Sequence, residues 1–304
     1  MNRRHAPLMS LAALGSTGAW WVGRRRRRPA WLAPKGVAFD GPLHGRTLGT
    51  GSPIVLLHGL LGSGRFWSGA YDTLADSHRL VVPDLLGFGQ SPKPYDVDYT
   101  PTVHTRAVVA ALDQIGATEP ATLVAHSLGV IIALRFAYEH PNRVANIVGF
   151  GPPLYRNGTS AKQHISRLGG LTRLLAFDTP LASRTCEWMC DHRQAAAKIS
   201  RLVRPDLPPA VATDAVQHNW AAYSRSTQHT LIEVQPITWL PEIRCPIVLV
   251  AGTNDPVVDL EHLHTLAKQN NIEVSERHGG HDLPLRQPAQ CIDLIRAHSP
   301  CAKR

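Results

Sequence analysis

Short runs of apolar residues recur along the chain, separated by segments whose apolar residues have helical spacing. The apolar runs cover residues 54–57, 80–82, 121–125, 144–150 and 246–252. Continuous apolar runs of this length are typical of strands buried on both faces. Helical spacing follows them at residues 66–75, 102–115 and 128–140. The alternation predicts an α/β fold, in which a mostly parallel sheet is covered by helices on both faces.

The alternation is interrupted between residues 152 and 240, where no apolar strand run occurs. Apolar residues there have helical spacing, with Arg, Lys and His on the opposite side. We interpret this segment as a helical cap inserted into a sheet domain that comprises residues 37–151 and 241–300. The sheet domain is expected to end with a strand at 272–276 and a helix at 288–298.

The formal charge of +9 is concentrated before the sheet domain. Arg3, Arg4 and the run Arg24–Arg28 supply seven of the 32 basic residues, and no acidic residue precedes Asp40. The rest of the chain is nearly neutral, so a nucleic-acid groove is not expected. Five scattered cysteines, an odd number in a long chain, do not resemble a disulfide framework and fit a reducing compartment.

The first 36 residues form a separate basic and apolar segment. Residues 6–23 are mostly small or apolar and end near Trp20 and Trp21, just before the arginine run. A helix of that length would reach ~27 Å, so the pattern predicts attachment to a membrane through residues 6–28, with the folded domain on the cytoplasmic side. An unattached basic tail and a cleaved export signal are the alternatives, and arginines after a cleavage site disfavour export. We therefore expect a cytoplasmic protein or one held at the cytoplasmic face of a membrane.

Ser127 follows the apolar run 121–125 directly and precedes a helical segment. A strand that turns into a helix within one residue needs small neighbours two positions away, and Ala125 and Gly129 meet that need. Such a serine is either an exposed nucleophile or an ordinary helix N-cap. Ala125 in place of the first glycine makes the motif alone only moderately specific.

Two further residues complete a candidate catalytic triad. A serine hydroxyl needs a base to accept its proton, and that base needs a carboxylate to fix its tautomer. Asp255 and His281 each follow a separate predicted strand. The chain order Ser, Asp, His is the one expected when the ends of strands in one parallel sheet carry the three residues. We predict Ser127 as nucleophile, His281 as base and Asp255 as its orienting acid.

Negative charge on a tetrahedral intermediate requires preorganised N–H donors. We predict the backbone N–H groups of Leu60 and Leu128 for this oxyanion hole. Leu128 begins the helix after the nucleophile, and Leu60 lies in a loop where Gly59 lets the backbone turn inward.

With these motifs together, the chain resembles the α/β-hydrolase fold family, in its branch with an H-G-x-x-G loop and a helical cap. The resemblance spans about residues 37–298 and rests on five segments, which are 58–62, 84–91, 125–129, 252–255 and 280–281. It implies a mostly parallel eight-stranded sheet, the triad above and no cofactor. Family members that act as haloalkane dehalogenases or epoxide hydrolases carry an aspartate at the nucleophile, so Ser127 disfavours both activities.

The leading hypothesis is a serine hydrolase that cleaves carboxylic esters of small to medium hydrophobic substrates. Hydrolysis of a carbon–carbon bond in a dienoate-type ketone is an alternative, prompted by residues 223–226, and a non-catalytic binding scaffold is another. No metal is expected, because Cys186, Cys190 and His192 lack a second ligand pair. We assign tentative substrate contacts to five residues, which are His58, Gly59, Trp188, Trp220 and Tyr223.

Overall fold

The computed structural model of the protein describes residues 28–166, 179–268 and 271–299. The predicted membrane-attachment segment lies outside these ranges, apart from Arg28. Among the described residues, no helix combines the length and apolarity that crossing a bilayer requires.

Eight strands form one sheet in the order β1-β2-β4-β3-β5-β6-β7-β8. Their bounds are β1 Val37–Phe39, β2 Gly45–Leu48, β3 Pro53–Leu57, β4 Arg79–Pro83, β5 Ala121–His126, β6 Val144–Phe150, β7 Ile247–Gly252 and β8 Ile272–Arg277. Strands β3 to β8 pair in parallel, whereas β2 pairs antiparallel with both β1 and β4. The predicted fold class is confirmed.

Helices connect these strands in the part of the chain that the structure describes. The α-helices are α1 Pro101–Gln114, α2 Leu128–Glu139, α3 Gly158–Ser166, α4 Pro180–Asp191, α5 Arg193–Val203, α6 Pro209–Asp214, α7 Trp220–Arg225, α8 Leu260–Leu266, α9 Leu283–Arg286 and α10 Pro288–His298. Short 3-10 helices cover Gly64–Trp67, Gly69–Asp76, Pro141–Arg143, Pro236–Thr238 and Leu240–Glu242, and a π-helix follows α7 at Ser226–Ile232. The described residues between β6 and β7 are thus helix and loop, with five α-helices.

The sheet separates two apolar layers, because alternate side chains of a strand point to opposite faces. Val55 and Leu57 of β3 pack into one layer with α1 and α2, whereas Ile54 and Leu56 pack into the other with α10. Every residue of β3, β5 and β7 is buried. These strands read as continuous apolar runs because they need apolar side chains on both faces.

The parallel strands end at one edge of the sheet. The register pairs Leu57 with Ala125, His126 with Phe150, and Gly252 with Arg277. The loops that follow β3, β5, β6, β7 and β8 therefore leave the sheet at its carboxyl edge, where ligands of open α/β sheets bind. All of the predicted catalytic residues lie on these loops.

Candidate active site

Ser127 occupies a strained corner between β5 and α2. Its backbone angles are φ 52° and ψ −122°, and its N–H donates to the Phe150 carbonyl at 2.9 Å. The residue holds the N-cap position of α2, yet its side chain makes no capping hydrogen bond. The helix-cap interpretation of this serine therefore does not describe what its hydroxyl does. A strained serine whose hydroxyl is left out of the helix cap has the form of a nucleophile held in place by its surroundings.

The loop after β3 lies against this corner. A Cβ added to Gly59 would lie 2.9 Å from His126 Nδ1 and 3.0 Å from Ser127 Cβ, so only glycine permits this approach. The loop closes through a hydrogen bond from Gly62 N–H to the Gly59 carbonyl at 3.1 Å. Leu61 within it has a φ of 60°, which is unfavourable for a non-glycine residue. Gly59 thus acts through its small size and not through a side-chain contact with substrate.

The two predicted oxyanion donors come from these neighbouring segments. Leu128 N–H is the first amide of α2 and has no partner within the helix. Among the described residues, neither Leu128 N–H nor Leu60 N–H donates to another protein group. Both amides are therefore available to a ligand oxygen.

His281 and Asp255 form a hydrogen-bonded pair across two loops. His281 Nδ1 lies 2.9 Å from Asp255 Oδ2 and 3.1 Å from Oδ1, and the Asp255 side chain is fully buried. Burial opposes charge on the imidazole, but the hydrogen bond and the attraction of Asp255, with a smaller attraction from Asp282, outweigh it and raise the pKa of His281. This contact fixes the proton on Nδ1 and leaves Nε2 as the basic nitrogen.

Gly151, which follows β6, makes room for this pair and was not singled out from the sequence. It has a φ of 57°, and a Cβ there would lie 3.0 Å from His281 Nδ1 and 3.1 Å from Asp255 Oδ2. A glycine before two prolines after an apolar strand is the only sequence signal for it. Its importance arises from contacts with loops more than a hundred residues later.

His126 links the serine corner to the His281 loop. Its Nε2–H donates to the His281 carbonyl at 3.0 Å, and the two rings lie 4.7 Å apart between centroids. Its other face stacks on Phe66 at 4.5 Å. Burial, with repulsion from His281, holds the pKa of His126 well below its ordinary value, so the ring is neutral. His126 is thus a candidate positioning residue for His281.

His58 is a structural brace, contrary to the tentative assignment as a substrate contact. The ring is fully buried, its Nδ1–H donates to the Gly59 carbonyl at 2.8 Å, and its Nε2 accepts from Leu85 N–H at 2.8 Å. Both nitrogens are occupied by backbone groups. The ring therefore holds the loop after β3 and offers no hydrogen bond to a substrate.

The three cap aromatic residues differ in their placement. Trp188 is 42% exposed and stacks on His192 at 5.0 Å. Tyr223 is buried, with its ring 5.5 Å from that of His218. Trp220 is half-buried beside Tyr223 at 5.9 Å. All three remain proposals as substrate contacts.

Two carboxylates hold the loops around the site. Asp84 accepts from Gly64 N–H and Gln90 N–H, both at 2.7 Å. Asp214 of α6 is buried and accepts from the Ser63 hydroxyl and from the Arg65 guanidinium. Asp214 thereby ties the segment 152–240 to the loop after β3.

Across the described ranges, no group of three or more His, Cys, Asp or Glu side chains is arranged to hold a metal ion. The candidate groups that the structure describes at this edge of the sheet are a hydroxyl, an imidazole paired with a buried carboxylate, and two amides that donate to no described protein group.

Comparison with known proteins gives consistent results. A family model described as the alpha/beta hydrolase fold matches residues 52–288. An uncharacterized protein of Mycobacterium tuberculosis is 35% identical over 301 residues, which cover 90% of this chain and 84% of that protein. The probable lysophospholipase BODYGUARD 1 of Arabidopsis thaliana is 34% identical over 121 residues, or 38% of this chain and 26% of that protein. The match therefore spans only about a quarter of that plant relative.

Solved structures share the fold at low identity. The E-2-(acetamidomethylene)succinate hydrolase has a TM-score of 0.69 at 17% identity and covers 87% of this chain and 99% of its own. A thermophilic esterase from Thermogutta terrifontis has a TM-score of 0.63 at 20% identity, over 86% of this chain and 97% of its own. These likenesses establish the fold alone.

Proposed function

This chain belongs to the α/β hydrolase fold family, and from that premise we propose that it is a serine hydrolase of carboxylic esters that works through an acyl-enzyme intermediate. The observation that carries the proposal is Ser127, strained and without a helix-capping bond, at the same sheet edge as the hydrogen-bonded pair of His281 and Asp255. A helix cap would have used the hydroxyl, and a solvent-exposed loop histidine would not need a buried carboxylate.

The proposed reaction proceeds in two halves. His281 Nε2 accepts the Ser127 proton as Oγ attacks the ester carbonyl, while Asp255 stabilises the imidazolium through Nδ1–H. Leu60 N–H and Leu128 N–H bind the oxyanion. The intermediate collapses as His281 gives its proton to the departing alcohol. A water molecule, deprotonated by the same nitrogen, then attacks the acyl carbonyl and frees Ser127.

The surroundings of Ser127 favour an uncharged, hydrophobic acyl group. Leu128 belongs to the larger apolar cluster, and Leu60 and Leu61 pack against that cluster from the loop after β3. Several plant relatives are named as probable lysophospholipases, which are hydrolases of lipid esters. Both observations support a hydrophobic ester as the substrate.

The carbon–carbon bond hydrolase alternative gains no support from the structure. It was prompted by residues 223–226, which loosely resemble a stretch in such hydrolases, and basic residues of the cap would suit an anionic substrate. Arg225 instead donates to the carbonyls of Tyr95 at 2.6 Å and Val97 at 2.7 Å, and Ser226 pairs with His104. These side chains hold the segment 95–104 against α7.

An ester panel with matched serine variants tests the proposal. We expect the wild type to hydrolyse p-nitrophenyl esters of graded chain length, and Ser127→Ala to lose about 10⁴-fold or more in kcat/KM because the nucleophile is gone. Ser183→Ala, which removes a hydroxyl bonded to its own helix, should retain wild-type activity.

A fluorophosphonate probe gives an independent measure of the nucleophile. It should label the folded wild type at Ser127 and leave Ser127→Ala unlabelled. No turnover across the panel together with labelling at Ser127 would mean that the bond cleaved is not an ester. Absence of both turnover and labelling in folded protein would favour the binding-scaffold alternative.

A further inference from the structure

The outward side of α5 is apolar, which is unusual for a helix that faces solvent. Ile199, Leu202 and Val203 are 44%, 79% and 49% exposed. Leu202 and Val203 follow Ile199 by three and four positions, so the three side chains lie on one face of the helix. Ala196 and Ala197 of the same helix are buried and pack with Val216 and Met189. The helix therefore has a buried side that holds the fold together and an apolar side that is largely open to solvent.

The preceding helix, α4, adds two more exposed apolar side chains. Leu181 and Trp188 are each 42% exposed and lie seven residues apart, on one side of the helix. Of the eight large hydrophobic side chains that are exposed in the described residues, five belong to these two consecutive helices. We call this set the outer cap face, and it comprises Leu181, Trp188, Ile199, Leu202 and Val203.

Positive charge accompanies the outer cap face. Arg184, Lys198 and Arg201 are exposed, and within the described part of the chain none of the three forms an ion pair with a carboxylate. Residues 180–204 carry five Lys or Arg and two acidic residues. The sheet domain has the opposite balance, with 12 Lys or Arg and 17 acidic residues in 37–151 and 241–300.

The last residue of the basic run, Arg28, contacts the described fold close to the end of α5. Its Nε donates to the Pro205 carbonyl at 3.2 Å. Pro205 lies two residues after the end of α5. Arg28 therefore lies next to the exposed end of α5.

We propose that the outer cap face docks on the surface of an anionic lipid bilayer. A helix with an exposed apolar face and flanking cations binds in the interfacial region, where the apolar side chains enter the acyl boundary and the cations meet phosphate groups. The arginine run supplies the second signal that stable attachment requires. This docking is independent of the proposed ester hydrolysis, which it would bring close to membrane-resident substrates.

A second copy of the chain is a poorer occupant of this face. A symmetric dimer built on one patch places that patch against itself. Arg184, Lys198 and Arg201 of both copies would then face one another with no carboxylate committed to them. Anionic lipid removes that repulsion, whereas self-association increases it.

Vesicle sedimentation with the full-length chain tests the proposal. Wild type should bind vesicles of phosphatidylcholine mixed with one third phosphatidylglycerol and bind pure phosphatidylcholine vesicles much more weakly. Ile199→Ser/Leu202→Ser should reduce the partition coefficient about 10-fold or more through lost apolar burial. Lys198→Glu/Arg201→Glu should reduce it to a similar extent on the mixed vesicles only.

Matched controls place the same changes elsewhere on the surface. Leu32→Ser/Val37→Ser alters side chains that are 59% and 72% exposed, and Arg106→Glu/Arg244→Glu reverses two exposed arginines. Both controls should bind like wild type. Circular dichroism and thermal melting confirm that each variant is folded.

Three results would overturn the proposal. Outer-cap-face variants that bind like wild type would assign all membrane affinity to the residues before Arg28. If the control variants lose affinity equally, the effect would be a general property of surface apolar or charged residues and not of the outer cap face. A wild type that is dimeric by light scattering, and monomeric as Ile199→Ser/Leu202→Ser, would identify the face as a self-association surface.

Discussion

Ser127 keeps a backbone conformation that costs a serine on the order of 1–3 kcal/mol, and the surrounding structure supplies that energy. Its amide is held by the Phe150 carbonyl, and its own carbonyl accepts from Val130 N–H at 2.8 Å. Ala125, the position that departs from the usual glycine, is fully buried at the end of β5. The strand and helix on either side thus fix the serine, and one extra methyl is accommodated.

Substitution of Gly151 tests the role of space at the His281–Asp255 pair. Gly151→Ala should lower kcat/KM by about 100-fold or more, because its Cβ would push between the imidazole and carboxylate and displace the base. Gly116→Ala is the control, since Gly116 has a similar φ of 64° and open space around its Cβ position.

Both alanine variants should lose a similar 1–2 kcal/mol or so of stability from the positive φ alone. Steady-state kinetics on an ester and urea unfolding separate the two effects. Equal activity in the two variants would show that the neighbouring atoms shift to accommodate a Cβ at position 151. Glycine would then be needed there only for the positive φ.

The residues that the sequence identified at this site are those whose chemistry is local. Ser127 was recognisable from the strand before it and the small neighbours beside it, and Asp255 and His281 from their positions after strands. Gly151 and His126 were not, because their roles depend on the His281 loop, 130 and 155 residues further along the chain. His58 was misplaced for the same reason, since a residue type alone does not show that its ring bonds two backbone groups.

At the scale of elements, an ion pair and a hydrogen bond connect α6 to the loop after β3. Asp214 is 4% exposed and accepts from Ser63 and Arg65, which is half-exposed. The hydrogen bond to Asp214 raises the pKa of Arg65. The same loop carries Leu60, so the position of a proposed oxyanion donor depends on a helix about 150 residues away.

Removal of the Asp214 carboxylate should therefore affect both stability and catalysis. Asp214→Ala should lower the free energy of unfolding by about 1–3 kcal/mol. This range is below that of a fully buried ion pair, because water screens the half-exposed Arg65. The substitution should also lower kcat about 10-fold or more as the loop shifts. Asp72→Ala, which breaks the Arg46–Asp72 pair at the other side of the sheet, is the matched control.

The control should lose a similar amount of stability and keep its kcat. Chemical denaturation and ester hydrolysis measure the two quantities. If Asp214→Ala keeps wild-type kcat, the contact is a fold-stabilising bond with no influence on the oxyanion donors.

Most of the parallel strands and the helices beside them could be predicted from the sequence within one or two residues. The strand at 144–150 and the helix at 288–298 match β6 and α10, because a buried strand is a continuous apolar run and a proline marks the first turn of this helix. The helix expected at 66–75 is two 3-10 segments, where Ser68 interrupts the run with a φ of 10°. The contacts between α6 and the sheet-edge loop had no local pattern to reveal them.

At the scale of the whole molecule, burial lowers the pKa of five histidines in the described ranges, one of which is His262. Burial lowers the pKa of His104 and of His218 to about 3, and it also lowers the pKa values of His58 and His126 below 6.5. An unfolded chain binds protons at these rings below pH 6.5, and the folded chain does not. The stability that they support is therefore present above pH 6.5 and is lost as pH falls toward the folded-state values. His281, with its raised pKa, offsets part of this loss.

The protein should consequently be sensitive to acid. His104 and His218, whose folded-state pKa values lie at about 3, remove up to about 2.5 kcal/mol of stability between neutral pH and about pH 5.5, a large share of the stability of a typical domain. Urea unfolding at a series of pH values should show the decline, and His104→Gln should reduce its slope by about one proton. Gly116→Ala, which is destabilised without a change in titration, should keep the wild-type slope. A flat profile would show that these rings become protonated without unfolding.

The strand order determines when the proposed activity can exist during synthesis. Ser127 follows β5, but its partners follow β7 and β8, and the segment 152–240 is made in between. β8, which precedes His281, is an edge strand that pairs only with β7. A nascent chain that has completed β6 holds the serine without its base, so it is hydrolytically silent. Ester turnover therefore indicates that the last strand has joined the sheet. In a pulse-labelled translation experiment, hydrolytic activity should rise with the full-length product and not with shorter chains that already contain Ser127.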